Sequence, residues 1–150
     1  MLGAHSDTLL LAHVIWATCN RRRTLDRDFD VWFSDFVADA SRRIDCDHLA
    51  VGNASDHVHL VLRLSPSVSL ADAVRRLKGG SSHAWNARER GRLRWQTGYW
   101  ARSIELEVLA RLSAYVRDQR VRHATASTLP AWEQPEEASL VALPDDPQEQ

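Results

Sequence analysis

Residues 46–64 read CDHLAVGNASDHVHLVLRL, and this stretch decides the fold. Its two apolar runs, 46–52 and 57–64, flank Asn53-Ala54-Ser55-Asp56, a cluster of turn-forming residues. That composition and spacing predict two strands joined as a hairpin. In the second run, Val58, Leu60, Leu62 and Leu64 share one face, while His57, His59, Val61 and Arg63 share the other. One face is built to be buried. The opposite face carries two imidazoles side by side.

Upstream, residues 9–18 (LLLAHVIWAT) form a run of β-branched and large apolar groups, which reads as a buried strand. His13 and Ile15 face one way, Val14 and Trp16 the other. Arg21, Arg22 and Arg23 follow in a loop or strand end. The period then changes, because Phe29, Trp32, Phe33, Phe36, Val37, Ala40 and Ile44 recur at three- and four-residue steps. That is an amphipathic helix whose aromatic stripe reads as core. Downstream of the hairpin, Ser69 followed three residues later by Asp72 is a capping-box signature. It opens a helix that turns Leu70, Ala73, Val74 and Leu77 inward, with Gly79-Gly80 as its end or a bend. Residues 93–101 (LRWQTGYWA) read as strand-like around Gly98. A long helix is expected from Ile104 to Val121, with Leu109, Leu112 and Val116 as its core stripe.

The order is therefore strand, helix, strand, strand, helix, strand, helix. Its first six elements have the βαββαβ order of an α+β, ferredoxin-like antiparallel sheet, and the seventh is an additional C-terminal helix carrying Tyr115. Such a sheet packs both helices on one face and leaves the other open for a partner or for chemistry.

Bulk properties narrow the classes. A chain of 150 residues is long enough for one domain with a real core and short for two. No stretch approaches the roughly 20 apolar residues of a membrane span, and residues 1–20 lack a signal-peptide layout. Cys19 and Cys46 are isolated, neither a disulfide framework nor a metal cluster. A cytoplasmic protein is the expectation. The net charge of -1 hides an asymmetry: six of the 20 acids lie in residues 133–150, which hold no Lys or Arg, leaving the first 132 residues at about +5. All but one of the 19 basic residues are arginine, with Lys78 the exception. Arginine's planar fork suits phosphate and base stacking, although coding bias produces the same preference. Residues 125–150 read as an acidic, flexible tail beyond a domain of 1–124.

His57 and His59 stand two apart on a strand, so both imidazoles project together and offer lone pairs to one divalent ion. Paired histidines also occur on exposed strands with no ligand, and the pair alone leaves both readings open. On the last helix Tyr115 and Gln119 are four apart and share a face. Gln119 has a carbonyl oxygen to give an ion, with the Tyr115 hydroxyl nearby. The bland reading keeps Tyr115 at the edge of the core. Asp56 belongs to the turn, His48 and His83 to the surface or the surroundings of a site, and Trp95 and Trp100 to the core or to base stacking.

The segments HVIWATCNRRRTL (13–25), SDHVHLVLRL (55–64), SLADAVRRLKGGSSHAWN (69–86), WQTGYWARSI (95–104) and AYVRDQ (114–119) resemble the small Y1-type HUH transposases of the IS200/IS605 group and their relatives, the REP-associated tyrosine transposases. The resemblance implies a ferredoxin-like catalytic domain over 1–124 that binds Mg²⁺ or Mn²⁺ through His57, His59 and Gln119. It implies a nucleophile at Tyr115 and a substrate of single-stranded DNA that forms hairpins. Cleavage through a 5′-phosphotyrosine, rejoining without ATP, a homodimer and a nucleoid-associated location are also implied. In the transposases of that group each histidine pair meets the tyrosine helix of the other subunit. Arg75, Arg76, Lys78, Arg88, Arg90, Arg92 and Arg94 are the first candidates for phosphate contacts. Ser55 stands where that family commonly has proline, and Asp118 where asparagine is frequent. Three rivals remain: a non-catalytic DNA-binding descendant of a transposase, a metal enzyme with a non-nucleic substrate, and a structural dimer using its open sheet face.

Overall fold

The computed structural model describes residues 6–89 and 91–134; residues 1–5, Arg90 and residues 135–150 lie outside the described residues. Four strands, β1 (Leu10–Ala17), β2 (Cys46–Asn53), β3 (His57–Leu64) and β4 (Trp100–Ser103), form one antiparallel sheet in the order β2-β3-β1-β4. That order, with α1 (Arg27–Arg43) after β1 and α2 (Leu70–Glu89) after β3, is the expected ferredoxin-like α+β arrangement. The register sets Ile15 opposite His59 and Ala17 opposite His57, so the histidine pair lies along the central seam.

Alternation along the strands divides the side chains. Val14, Trp16, Val58, Leu60 and Leu62 point to the face covered by α1 and α2, where Phe29, Phe33, Val37, Ala73, Val74 and Leu77 complete the main core. Each fully buried large side chain contributes about 1.5–3 kcal/mol relative to exposure, so this aromatic-rich layer dominates stability. Asp26 caps α1 by accepting from the Phe29 amide at 2.9 Å, and Ser69 Oγ accepts from the Asp72 amide at 3.1 Å at the start of α2, as the capping signature predicts. Helix α2 does not end at Gly79-Gly80. Gly80 faces α1 closely enough that a Cβ there would stand 3.1 Å from the Phe36 ring, so the glycine serves helix packing.

The other face carries a smaller core, in which Ala50 and Val61 meet Leu112 and Val116 of α3 (Leu109–Arg117). Gly52 makes this approach possible, because a Cβ there would lie 1.5 Å from the Val116 carbonyl oxygen. The expected helix of 104–121 is divided. The Ile104 amide still bonds to Leu11 O beside the sheet, a 3-10 turn spans Leu106–Val108, and α3 stops at Arg117. At Asp118 the backbone leaves helical geometry, its amide shared between Ala114 O and Tyr115 O, and α4 (Gln119–Ala124) begins. The strand-like segment 93–101 is likewise shorter than expected. Only Trp100–Ser103 pairs as β4, while Trp95 makes a single bridge to Thr18 and buries its ring against Trp16, Phe29 and Phe33.

Candidate active site

Each member of the site is positioned by an identifiable backbone cause. Strand alternation sends His57 and His59 to the α3 face, with ring centroids 5.1 Å apart. His57 is 3% exposed and His59 fully buried. Helix α3, seated on Gly52, carries Tyr115 against His59, with centroids 6.4 Å apart. Histidine pair and tyrosine thus meet within one chain. Helix α4 supplies Gln119 and His123, and it is docked by Arg120, which pairs with Asp30 and donates to Leu25 O at 2.6 Å.

Residues 125–134 return across this face. A 3-10 turn at Pro130–Trp132 sets Trp132 against the Tyr115 ring at 5.2 Å and delivers Glu133 into the centre. Glu133 Oε1 accepts from the Tyr115 hydroxyl at 2.5 Å, and its Oε2 lies 3.2 Å from His59 Nε2 and 3.4 Å from His57 Nε2. His123 Nε2 is 3.3 Å from Glu133 Oε1. The Tyr115 oxygen also accepts from the Leu129 amide at 2.9 Å. With its ring 1% exposed, the hydroxyl is fully engaged inside the chain.

Ligand atoms of His57, His59, His123 and Glu133 all lie within 4.8 Å of one another. The donor set fits a divalent ion. His57 Nδ1 bonds to Asp56 Oδ1 at 2.6 Å, which fixes the lone pair of the neutral ring on Nε2, and that buried nitrogen, 3.4 Å from Glu133 Oε2, makes no well-aligned hydrogen bond among the described residues. A carboxylate behind a ligating imidazole is the usual way to orient it. His59 is held from behind in the same manner, its Nδ1 lying 2.9 Å from His13 Nε2. Gln119 is fully buried beside the group, its Oε1 3.1 Å from His123 Nε2 and its Nε2 donating to Tyr115 O at 3.3 Å.

The electrostatics follow from burial and this one carboxylate. Burial, together with His59, lowers the His13 pKa to about 3, and burial lowers His59 to about 4, so both rings are neutral. Burial also pulls on His57, but the Asp56 and Glu133 carboxylates outweigh it and raise its pKa. Burial opposes ionisation of Glu133, yet the His123, His57 and His59 rings facing it at 3.2–3.4 Å hold it far below the usual carboxylate range. The Tyr115 phenol is pushed up to about 12, first by burial and then by Glu133.

The structure brings together Tyr115, His57, His59 and Gln119 as the sequence suggests. Asp56 is indeed a turn residue rather than part of the ligand group, and it orients His57 from there. His123 and Glu133 are additions. His123 is four residues beyond Gln119, a spacing that signals a shared face; Glu133 sits among acids with no periodic pattern to single it out. The phosphate-contact candidates lie elsewhere. Arg75, Arg76 and Lys78 belong to α2, across the sheet from the histidines, and Lys78 donates to Gln96 O and Gly98 O at 2.5 and 2.8 Å. Arg88 ends the same helix, and Arg92 and Arg94 line a cleft with Trp85 and Thr18. Trp100 lies on the site's face, its ring edge-on to His13 at 5.1 Å.

These features define an α+β protein with a candidate metal centre and a tyrosine on one face of a ferredoxin-like sheet. Residues 6–119 match the family model described as "Transposase IS200 like", and the chain belongs to that family. The fold is shared with a protein of Deinococcus radiodurans R1 provisionally named a transposase, with TM-score 0.62 and 24% identity over 80% of this chain and 98% of that one. It is shared also with a REP-associated tyrosine transposase bound to a REP hairpin, with TM-score 0.60 and 16% identity over 81% of this chain and 74% of that one. The sequence matches no curated protein. Among the described residues, no helix is long and apolar enough to cross a membrane.

Proposed function

We propose that the chain cleaves and rejoins single-stranded DNA near hairpins, with Tyr115 as nucleophile and Mg²⁺ or Mn²⁺ as cofactor. The observation that carries this reading is the convergence of the Tyr115 hydroxyl and both histidines on one carboxylate. A carboxylate with one oxygen beside the phenol and the other beside both histidine nitrogens marks where a scissile phosphate group would fit. His57, His59 and His123, with Gln119 adjoining and Glu133 when the C-terminal segment is closed, would hold the ion. When bound, the ion polarises the phosphate and offsets its charge.

The chain's own residues do the rest. Attack by Tyr115 Oη forms a phosphorus–oxygen bond and breaks the bond to the 3′ oxygen, giving a 5′-phosphotyrosine and a 3′-hydroxyl. The proton that the phenol releases balances the one the 3′ oxygen takes up. The reverse transfer rejoins strands without ATP, since the ester keeps the bond energy. Asp56 and His13 hold the two imidazoles in orientation, and Trp132 covers the phenol ring. Glu133 and the Leu129 amide engage the proton and one of the two lone pairs of Tyr115, so their departure frees the oxygen for attack. The closeness of Tyr115 to His59 and to Glu133 within one chain supports assembly of the site from a single subunit.

Incubation with a pool of single-stranded hairpin oligonucleotides in Mn²⁺, followed by a denaturing gel, tests this. The wild-type chain forms an adduct and Tyr115→Phe forms none. Binding without an adduct, in a chain that holds the ion, would instead support a non-catalytic DNA-binding descendant.

A further inference from the structure

Of the arginines that first suggest phosphate contacts, Arg75, Arg76 and Arg88 lie on α2, on the face of the sheet opposite His57 and His59. A strand whose phosphate reaches those histidines needs cations on the histidines' own side. One cleft provides them. It has a volume of about 540 Å³ and is lined by Arg21, Arg23 and Arg27 together with His57 and His123, so it opens directly onto the candidate metal centre.

The loop bearing these arginines is locked in place. Asn20 and Arg21 both adopt left-handed backbone angles, with φ of 57° and 52°. Left-handed geometry at consecutive residues that are not glycine persists only where the surroundings over-determine it. Here Thr18 Oγ1 bonds to Arg22 O at 2.7 Å and to Asp56 O at 3.1 Å, and the Leu25 amide bonds to Ser55 O at 2.9 Å. The loop is therefore tied to the turn that presents His57. Arg23 and Arg27 are exposed, and among the described residues neither makes a side-chain hydrogen bond or ion pair. Arg21 is half-buried beside Asp56, whose carboxylate is already bonded to His57. The remaining cation of the cleft, Arg120, is committed to Asp30 and Leu25 O.

From this geometry we infer that the cleft of Arg21, Arg23 and Arg27 is the binding site for the backbone phosphates of single-stranded DNA flanking the scissile one. The arginines sit at fixed positions relative to His57, and their planar forks match phosphate oxygens. The inference rests on the proposed DNA-cleaving function and adds the path of the strand.

Its test is a salt titration of binding to a fluorescent oligothymidylate of about 12 nucleotides, a length within single-strand site sizes. The chains compared are wild type, Arg21→Gln/Arg23→Gln/Arg27→Gln, the corresponding lysine triple variant, and Arg75→Gln/Arg76→Gln. The glutamine triple variant is expected to bind ten-fold or more weakly at low salt. Its plot of log affinity against log salt should be shallower by about 2, since each phosphate contact on a single strand contributes roughly 0.7. The lysine variant keeps the charge and should regain most of the slope, which separates loss of cations from misfolding. Wild-type affinity and slope in the glutamine triple variant, with the loss appearing in Arg75→Gln/Arg76→Gln, would overturn the inference. If the wild-type chain still forms its Tyr115 adduct in that case, the cleft alone is wrong. A wild-type chain that neither binds nor forms an adduct overturns the cleft and the proposed function together.

Discussion

The Tyr115 hydroxyl donates to Glu133 Oε1 at 2.5 Å, across 18 residues of sequence, and the same carboxylate reaches both histidines of the candidate metal centre. A buried anion against a phenol opposes loss of the phenol's proton, in line with a pKa near 12. Glu133→Gln removes the charge while keeping the shape. The Tyr115 pKa should then fall by roughly one unit, on the scale of a single buried neighbouring charge. Ultraviolet titration of tyrosinate in Glu133→Gln against wild type reads this directly. An unchanged titration would mean that burial alone sets the phenol.

The same contact predicts a kinetic effect. Replacement of residues 125–150 by a stop after Ala124 frees both the proton and the lone pair of Tyr115. Single-turnover adduct formation should rise by ten-fold or more, which corresponds to about 1.4 kcal/mol, one hydrogen bond's worth of release. A slower truncated chain would show that Glu133 assists catalysis and does more than occupy the nucleophile.

Asp56 tests the role of orientation. It lies outside the four-residue ligand group, but its bond to His57 Nδ1 keeps the lone pair on Nε2. Loss of a carboxylate behind a ligating imidazole typically costs 10–100-fold in metal affinity. Asp56→Ala should therefore weaken Mn²⁺ binding by that range in calorimetry, while His57→Ala/His59→Ala removes it. Equal affinity in Asp56→Ala and wild type would show that the ring needs no such support.

Gly52→Ala probes the seat of the tyrosine helix. A methyl group 1.5 Å from the Val116 carbonyl oxygen forces α3 off β2. The expected cost is about 1–3 kcal/mol in urea unfolding, the range for overpacking. Adduct formation should fall further than stability does, because Tyr115 is one residue from the displaced carbonyl. A variant with wild-type stability would contradict the close approach.

Much of this arrangement is legible in the sequence because it depends on short-range periodicity. The alternation of Val58, Leu60 and Leu62 with His57 and His59 determines which face holds the histidines, and the stripe from Phe29 to Ile44 places α1 on the other. The four-residue step from Tyr115 to Gln119 brings nucleophile and amide together. What escapes is what tertiary contacts decide. Gly80 looks like a helix stop, but the Phe36 ring across the helix pair gives it a packing role. The break at Asp118 has no strong local marker, since the residue shifts its amide between two carbonyls. Glu133 lies in a segment whose composition suggests only a charged tail; its role comes from the turn at Pro130–Trp132 and the fit of Trp132 on Tyr115.

The central claim is that Tyr115 becomes covalently joined to DNA at a site built from His57 and His59. The most direct measurement is peptide mapping by mass spectrometry after incubation with cleavable single-stranded DNA and Mn²⁺. The account predicts a 5′-nucleotide on the peptide containing Tyr115, absent from Tyr115→Phe and from His57→Ala/His59→Ala. A nucleotide on any other residue, or an adduct that persists in the histidine variant, would contradict it.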